Sequence, residues 1–257
     1  MEADNRRPLG SEDGHQPLVS VITVVFQDRN ELEAIVCNLQ PFRGEKLEFI
    51  VVDGGSADGT VEFLSEHPEH VDAWMSEPDR GVYDAMNKGL RAARGTYILH
   101  INAGDRLLQI PWNTLEFCAK ERVDVVSGRV LMDGNEVFVS RTTFTSRIDN
   151  TWHHQGTFYR SAAHLGYDDS YGICGDFDHN QRLLKAGRSI RHVSDVIAEH
   201  RNDGLSMQER ARREIYRSIR KNYGYIYLLP AAVRFKLARL WLWWKQRRHR
   251  MMQFPLP

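Results

Sequence analysis

Apolar residues in this chain fall first into short unbroken runs and later into broken ones. Residues 19–26 read VSVITVVF and residues 49–53 read FIVVD. Such β-branched, nearly continuous runs are expected of parallel strands covered on both faces. Between them Leu32, Ile35, Val36 and Leu39 recur at helical spacing. Val61, Phe63 and Leu64 mark a second helix that Asp58 caps, and residues 72–76 read as a third strand. A third helix over residues 82–93 puts Val82, Met86, Gly89, Leu90 and Ala93 on one face, and residues 97–101 form a fourth strand. This alternation predicts a doubly wound α/β sheet.

After Asp105 the pattern changes. Residues 123–130 and 136–144 read as strands around the turn Met132-Asp133-Gly134-Asn135, and residues 156–159 as another strand. A helix is expected over residues 177–186, ending at Gly187, and a strand over residues 190–197. This half reads as an acceptor-binding subregion on the same sheet, with no internal repeats.

Lys and Arg balance Asp and Glu at 34 each, but unevenly along the chain. Beyond Glu214 no acid follows, while Arg217, Arg220, Lys221, Arg234, Lys236, Arg239, Lys245, Arg247, Arg248 and Arg250 do. Such segregation points to an anionic surface as partner. Residues 231–251 interleave these cations with Phe235, Leu237, Leu240 and Trp241 to Trp244. A helix of this composition suits a membrane interface, which is the favoured reading; packing on the core and RNA binding are the others. Cys37, Cys118 and Cys174 are odd in number and lack metal or redox spacing, so buried thiols in a reducing compartment are expected. Residues 1–17 have no apolar core for a signal peptide and read as a disordered leader. With no spanning run, the expected location is cytoplasmic, peripheral on the inner face of the cell membrane.

Candidate chemistry sits at the strand ends. Asp105 follows Asn102, Ala103 and Gly104 at the end of the fourth strand, where open α/β sheets bind ligands. Small residues there let an anionic ligand approach the backbone, and a carboxylate suits Mg²⁺ or Mn²⁺; a turn cap is the bland alternative. Asp53, before Gly54-Gly55-Ser56, is placed to bind a nucleobase or ribose, or to cap its own turn. Asp84 and Asn87, three apart on one helix face, reach a common ligand, whereas Lys88 reads as a surface ion pair with Asp84. Of Asp176 and Asp178, only one is expected to face a ligand; Asp176, before the helix proper, fits a general base, leaving Asp178 to cap or to pair with Arg182. His153 and His154 alternate faces and so do not share an ion; a hydrogen-bonding role toward sugar hydroxyls suits them better. His200 is a second metal or phosphate contact, or a plain loop histidine. Neither a P-loop nor a GxGxxG fingerprint is present.

Together VSVITVVF, IVVDGGSADGT, SEPDRGVYDAMNKGLRAARG and HINAGD resemble the family 2 glycosyltransferases of GT-A fold, nearest the bacterial colanic acid and exopolysaccharide branch. The likeness is strong over residues 19–105 and continues through His154-Gln155-Gly156, Gly175-Asp176 and Gly204-Leu205-Ser206. It implies a doubly wound mixed sheet with a C-terminal helical extension: a leader (1–17), a GT-A domain (18–228) divided into a nucleotide-sugar half (18–108) and an acceptor half (109–228), and a basic aromatic amphipathic tail (229–257). It implies inverting transfer of a sugar from a nucleoside-diphosphate sugar to a glycan or lipid-linked acceptor. Phe26, Asp53, Asp79, Asp84, Asn87 and Gly104 then bind the nucleotide sugar, His154 and Gln155 the acceptor, and Asp105 with His200 a Mn²⁺ or Mg²⁺ ion. Asp176 becomes the catalytic base, although Gly175 stands where an acid often precedes it, and Ala103 or Asn102 where a first metal acid is usual. Nucleic acid is not an expected partner. The competing readings are a non-catalytic nucleotide-sugar or polysaccharide-binding module, favoured by Ala103, and a sugar nucleotidyltransferase, which wants more cations than Arg29 beside the first strand.

Overall fold

The computed structural model describes residues 16–201 and 209–253. Most of the expected leader, and Gly204-Leu205-Ser206, lie outside the described residues. One mixed sheet runs through the molecule in the order β3-β2-β1-β4-β8-β6-β9-β5, with β7 paired to β6. Its amino-terminal half consists of β1 (Val19–Val25), β2 (Leu47–Asp53), β3 (Ala73–Ser76) and β4 (Tyr97–His100), all parallel. Every residue of β1 and β2 is buried, which explains their unbroken apolar runs. Alternate side chains serve opposite layers. Val19, Val21, Phe49 and Val51 pack with α1 (Arg29–Leu39), α2 (Thr60–Glu66) and α4 (Trp112–Lys120), whereas Ile22, Ile50 and Val52 meet α3 (Val82–Ala92). Asp58 serves two helices, its carboxylate accepting from Thr60 N–H at α2 and Arg29 N–H at α1.

In register, Val25 faces Asp53 and Asp53 faces Ser76, so these strand ends share one edge. Beyond β4 the sheet continues through β8 (Thr157–Arg160), β6 (Val125–Met132), β9 (Ile190–His200) and β5 (Arg106–Leu107), with β8 antiparallel to both β4 and β6. β9 returns His200 to the edge that carries Asp105, because Arg106 pairs with Glu199.

Several expectations change. The strand expected over residues 136–144 is only β7 (Glu136–Phe138). Ser140 Oγ turns to the Gly128 carbonyl, and a reciprocal Thr143–Ser146 cap winds residues 144–147 into a short 3-10 turn. Helix α4 and strand β5 carry too little pattern to be read from the sequence: α4 buries only Leu115 and Cys118. Cys37 is exposed, not buried, while Cys118 and Cys174 are buried free thiols. Helix α5 (Gly175–Lys185) is followed by α6 (Glu209–Tyr223) and α7 (Leu228–Gln253). Leu228, Ala231 and Phe235 of α7 pack around Phe177, so this helix starts on the domain rather than as a free tail. Among the described residues no helix is long and apolar enough to cross a membrane.

Candidate active site

The end of β1 presents Phe26, whose ring is 62% exposed, beside Gly54 and Asp79. A Cβ on Gly54 would lie 2.6 Å from Asp79 Oδ2 and 3.0 Å from the Phe26 ring. Glycine is therefore what lets the aromatic face and the carboxylate converge. Asp79 Oδ1 accepts from Gly81 N–H at 2.8 Å. Asp53 is fully buried and holds its own loop: its carboxylate accepts from Gly55 N–H, Ser56 N–H, Ser56 Oγ and Ser76 Oγ.

On α3, Asp84 turns back to Arg80, accepting from its N–H at 3.0 Å and from its guanidinium, which holds the carboxyl below its ordinary range. Arg80 also pairs with Asp169. Asn87 is committed elsewhere, donating to the Tyr167 carbonyl at 2.9 Å and accepting from Tyr167 N–H at 2.8 Å. The two residues thus serve different partners in this structure. The surface pairing expected between Lys88 and Asp84 is not formed. Lys88 is buried, donates to the Pro78 carbonyl at 2.8 Å and pairs with Glu77 at 3.2 Å, bracing the loop that carries Asp79.

Asp105 is buried at the end of its turn, where Gly104 adopts a left-handed φ of 93° with open space around it. Asp105 Oδ2 accepts from Asn102 N–H, and Oδ1 lies 2.6 Å from His200 Nδ1. Gln155 reaches the same His200 nitrogen at 3.0 Å. One ring nitrogen cannot donate to Asp105 while accepting from Gln155; turning the amide over lets Nδ1–H serve both oxygens. In the same turn Asn102 Oδ1 is buried without a hydrogen-bond partner. Carboxylate and amide oxygens are ligand types that suit Mn²⁺ or Mg²⁺, so Asp105 and Asn102 carry oxygens of the kind a divalent ion takes.

Asp176 opens α5 and is buried. Its Oδ2 accepts from Asn150 Nδ2 at 2.9 Å and faces His154 Nδ1 at 3.4 Å. Tyr83, bonded to the Ile173 carbonyl at 2.6 Å, approaches Oδ1 at 3.4 Å. Burial pushes the Asp176 carboxyl up, but the effects that lower it, the His154 hydrogen bond foremost, bring it below the ordinary range. A Cβ on Gly175 would meet the Tyr83 ring at 2.8 Å, so the tyrosine occupies the space an acid there would need. Asp178 is fully buried and structural, bonded to Arg182 at 2.8 Å and to Asn222 and Lys221 of α6. Glu214 of α6 accepts from three successive N–H groups, Gly172, Ile173 and Cys174, just ahead of Asp176.

Residues 153–155 join these two groups. His154 faces Asp176, Gln155 faces His200, and His153 packs edge-on against Phe138 with its ring 6.0 Å from that of His200. Burial lowers His153 to about 4, so it is neutral at pH 7.

The chain matches the sequence profile described as Glycosyl transferase family 2 over residues 20–177. It belongs to that family. An uncharacterized glycosyltransferase of Mycobacterium tuberculosis is 44% identical over 92 residues, 35% of either chain. A Mycobacterium bovis protein named PGL/p-HBAD biosynthesis glycosyltransferase is 28% identical over 209 residues, covering 74% of this chain and 79% of its own. Among solved structures, Staphylococcus aureus TarS superposes with a TM-score of 0.60 at 15% identity, over 78% of this chain but 38% of TarS. A Pyrobaculum calidifontis mannosyltransferase, solved with GDP-Man and Mn²⁺, superposes at 0.55 and 22% identity, covering 73% and 57% of the two chains. The family and these likenesses establish the GT-A fold.

Within this family 2 chain the structure gathers Asp105, His200 and Gln155 in one group and Asp176 and His154 in another, with Phe26 and Asp79 on a separate wall. Asn150 and Tyr83 were not legible as site residues. Asn150 carries no sequence signal, and Tyr83 sits between Val82 and Asp84 like any helix aromatic.

Proposed function

We propose that the protein is an inverting glycosyltransferase, moving a sugar from a nucleoside-diphosphate sugar to a hydroxyl of a glycan or lipid-linked acceptor in surface-polysaccharide synthesis. The observation that carries this reading is the run His153-His154-Gln155, which ties the acid at the α5 start to the acid at the β4 end. Phe26 offers an aromatic face for a nucleobase and Asp79 Oδ2 an acceptor for its N–H. Asp53 keeps that floor in shape, Asp84 lies at the donor's approach, and Asn87 positions the 167 loop. Gly104 leaves room for the diphosphate. Relatives named PGL/p-HBAD biosynthesis glycosyltransferase and Putative teichuronic acid biosynthesis glycosyltransferase TuaG support the substrate class, as do TarS structures with UDP and UDP-GlcNAc for the donor.

Asp176, ionised at neutral pH, takes the proton of the acceptor hydroxyl as that oxygen bonds to the anomeric carbon. The anomeric carbon–oxygen bond on the opposite face breaks, and its electron pair leaves with the diphosphate. His154 and Asn150 hold the carboxylate, and with Gln155 they line the acceptor side. Asp105 and His200 would hold Mn²⁺ or Mg²⁺, whose charge stabilises a leaving diphosphate.

Association with the cytoplasmic face of the membrane is part of the same proposal, supported by exposed Leu240 and Trp244 on α7 among its basic residues. Leu240→Glu with Trp244→Glu is expected to lower pelleting on anionic vesicles, and unchanged pelleting counts against it. Thermal shift with UDP- and GDP-sugars, with and without Mn²⁺, tests the donor site, since ligands of the folded state raise its melting temperature. Asp176→Asn should then keep donor binding and lose turnover about 10²-fold or more; near-normal turnover would overturn the base.

A further inference from the structure

Residues 144–148 and α7 border an open apolar groove of about 800 Å³, within the size range of small-molecule sites. Phe144 and Ile148 form one wall; Leu229, Val233, Leu237 and Ala238 form the other. A helix turns about 100° per residue, which puts Leu229, Val233 and Leu237 opposite the packed Leu228, Ala231 and Phe235. The packed set joins the core around Phe177, while the groove set is half or more exposed. Helix α7 is thus apolar on two faces along these turns, and the protein covers only one of them.

The groove lies near the proposed base in the chain and through two hydrogen bonds. Arg234 on its edge bonds Asp149 through Nε at 2.7 Å, and the next residue, Asn150, donates to Asp176 Oδ2 at 2.9 Å. Ile148 lines the groove and shares a buried cluster with Cys174 and Phe177, which flank Asp176. Residues 148–150 span at most roughly 7 Å. A head group joined to a chain in the groove is therefore within short reach of Asp176.

We propose that this groove holds the hydrocarbon part of the acceptor, making the acceptor an amphiphile whose hydroxyl-bearing head stands at Asp176. The proposal rests on the transferase reading above. A single chain fits better than a bilayer surface, because the 144–148 wall gives the face a concave side.

The test titrates n-octyl, n-nonyl and n-decyl β-D-glucosides into the full-length protein, each below its micelle-forming concentration, with glucose as head-group control. Each added methylene is expected to tighten binding about four-fold, with glucose alone not binding at those concentrations. Ala238→Trp, at an exposed position, fills the groove and should abolish the dependence on chain length; Leu237→Asp, which puts a charge in it, should do the same. Equal affinity at all lengths, or a dependence that survives both substitutions, overturns the proposal. So does a dependence that appears only with anionic vesicles present, which would make the face a bilayer contact. UDP and GDP titrated with Mn²⁺ into the same samples read the donor site separately. Absent nucleotide binding with length dependence intact sinks the transferase reading and leaves a lipid site; the converse sinks the groove alone.

Discussion

His154 presents Nδ1 to Asp176 Oδ2 at 3.4 Å, while its Nε2 is buried with no hydrogen-bond partner. The histidine holds the carboxyl below its ordinary range against the opposing effect of burial. The ionised form is the one that accepts a proton, so activity should be lost as pH falls through the Asp176 pKa. His154→Ala removes the partner and lets burial raise that pKa. The acid limb of kcat/KM is expected to move to higher pH, with about a ten-fold loss at neutral pH, the worth of one hydrogen bond to a charge. A pH–rate profile that does not move would show that His154 does not tune the base.

Asp178 makes the opposite case, a carboxylate close in sequence that is fully buried among structural partners. It joins α5 to α6 through Arg182, Lys221 and Asn222. Asp178→Ala strands these partners around a buried space and should cost about 3–5 kcal/mol. A denaturant midpoint should fall clearly, with nucleotide affinity in the surviving folded fraction unchanged.

The contrast shows what the sequence made legible. Strands β1 and β2 could be read because burial on both faces forces an unbroken apolar run. The spacing of Asp176 and Asp178 indicated that they would face differently. Lys88 was misread because helical spacing alone cannot see the Pro78 carbonyl that the folded loop brings over the helix. The short β7 was overestimated for a similar reason, since Ser140 and Thr143 spend their hydroxyls in local turns that an alternating pattern does not register. Contacts that assemble the site, such as Asn150 with Asp176 and Gln155 with His200, join residues 26 and 45 apart. No local periodicity encodes such pairings.

Gly54 offers a test of the donor wall that leaves the chemistry untouched. Its backbone does not require glycine, since its φ lies outside the left-handed region, but a methyl there meets Asp79 Oδ2 and the Phe26 ring. Gly54→Ala should push Asp79 or Phe26 outward. The expected result is at least a ten-fold weaker nucleotide affinity by titration with less than about 1 kcal/mol lost in stability, because both displaced side chains border solvent. Unchanged affinity would remove Phe26 and Asp79 from the nucleotide site.

Acid sensitivity should come from a histidine cluster that borders the proposed base through Tyr167 and Tyr83. His100 and His179 are buried with Tyr159 and Tyr167, and the half-buried His164 stacks its ring on that of His179 at 4.1 Å. Both nitrogens of His100, one of His164 and one of His179 lack partners. Burial drives His164 down to about 3 and the other two well below their ordinary value, so all are neutral in the folded protein at pH 7. In the unfolded chain each titrates near 6.5. Below that pH the unfolded state binds more protons than the folded one, so stability must fall as pH falls. The melting temperature is therefore expected to be level above about pH 7 and to drop steadily from about 6.5 toward 4. His164→Phe keeps a ring against Tyr159 and His179 and removes one titrating group. It should flatten the slope below pH 6.5, and an unaltered slope would place the acid sensitivity outside this cluster.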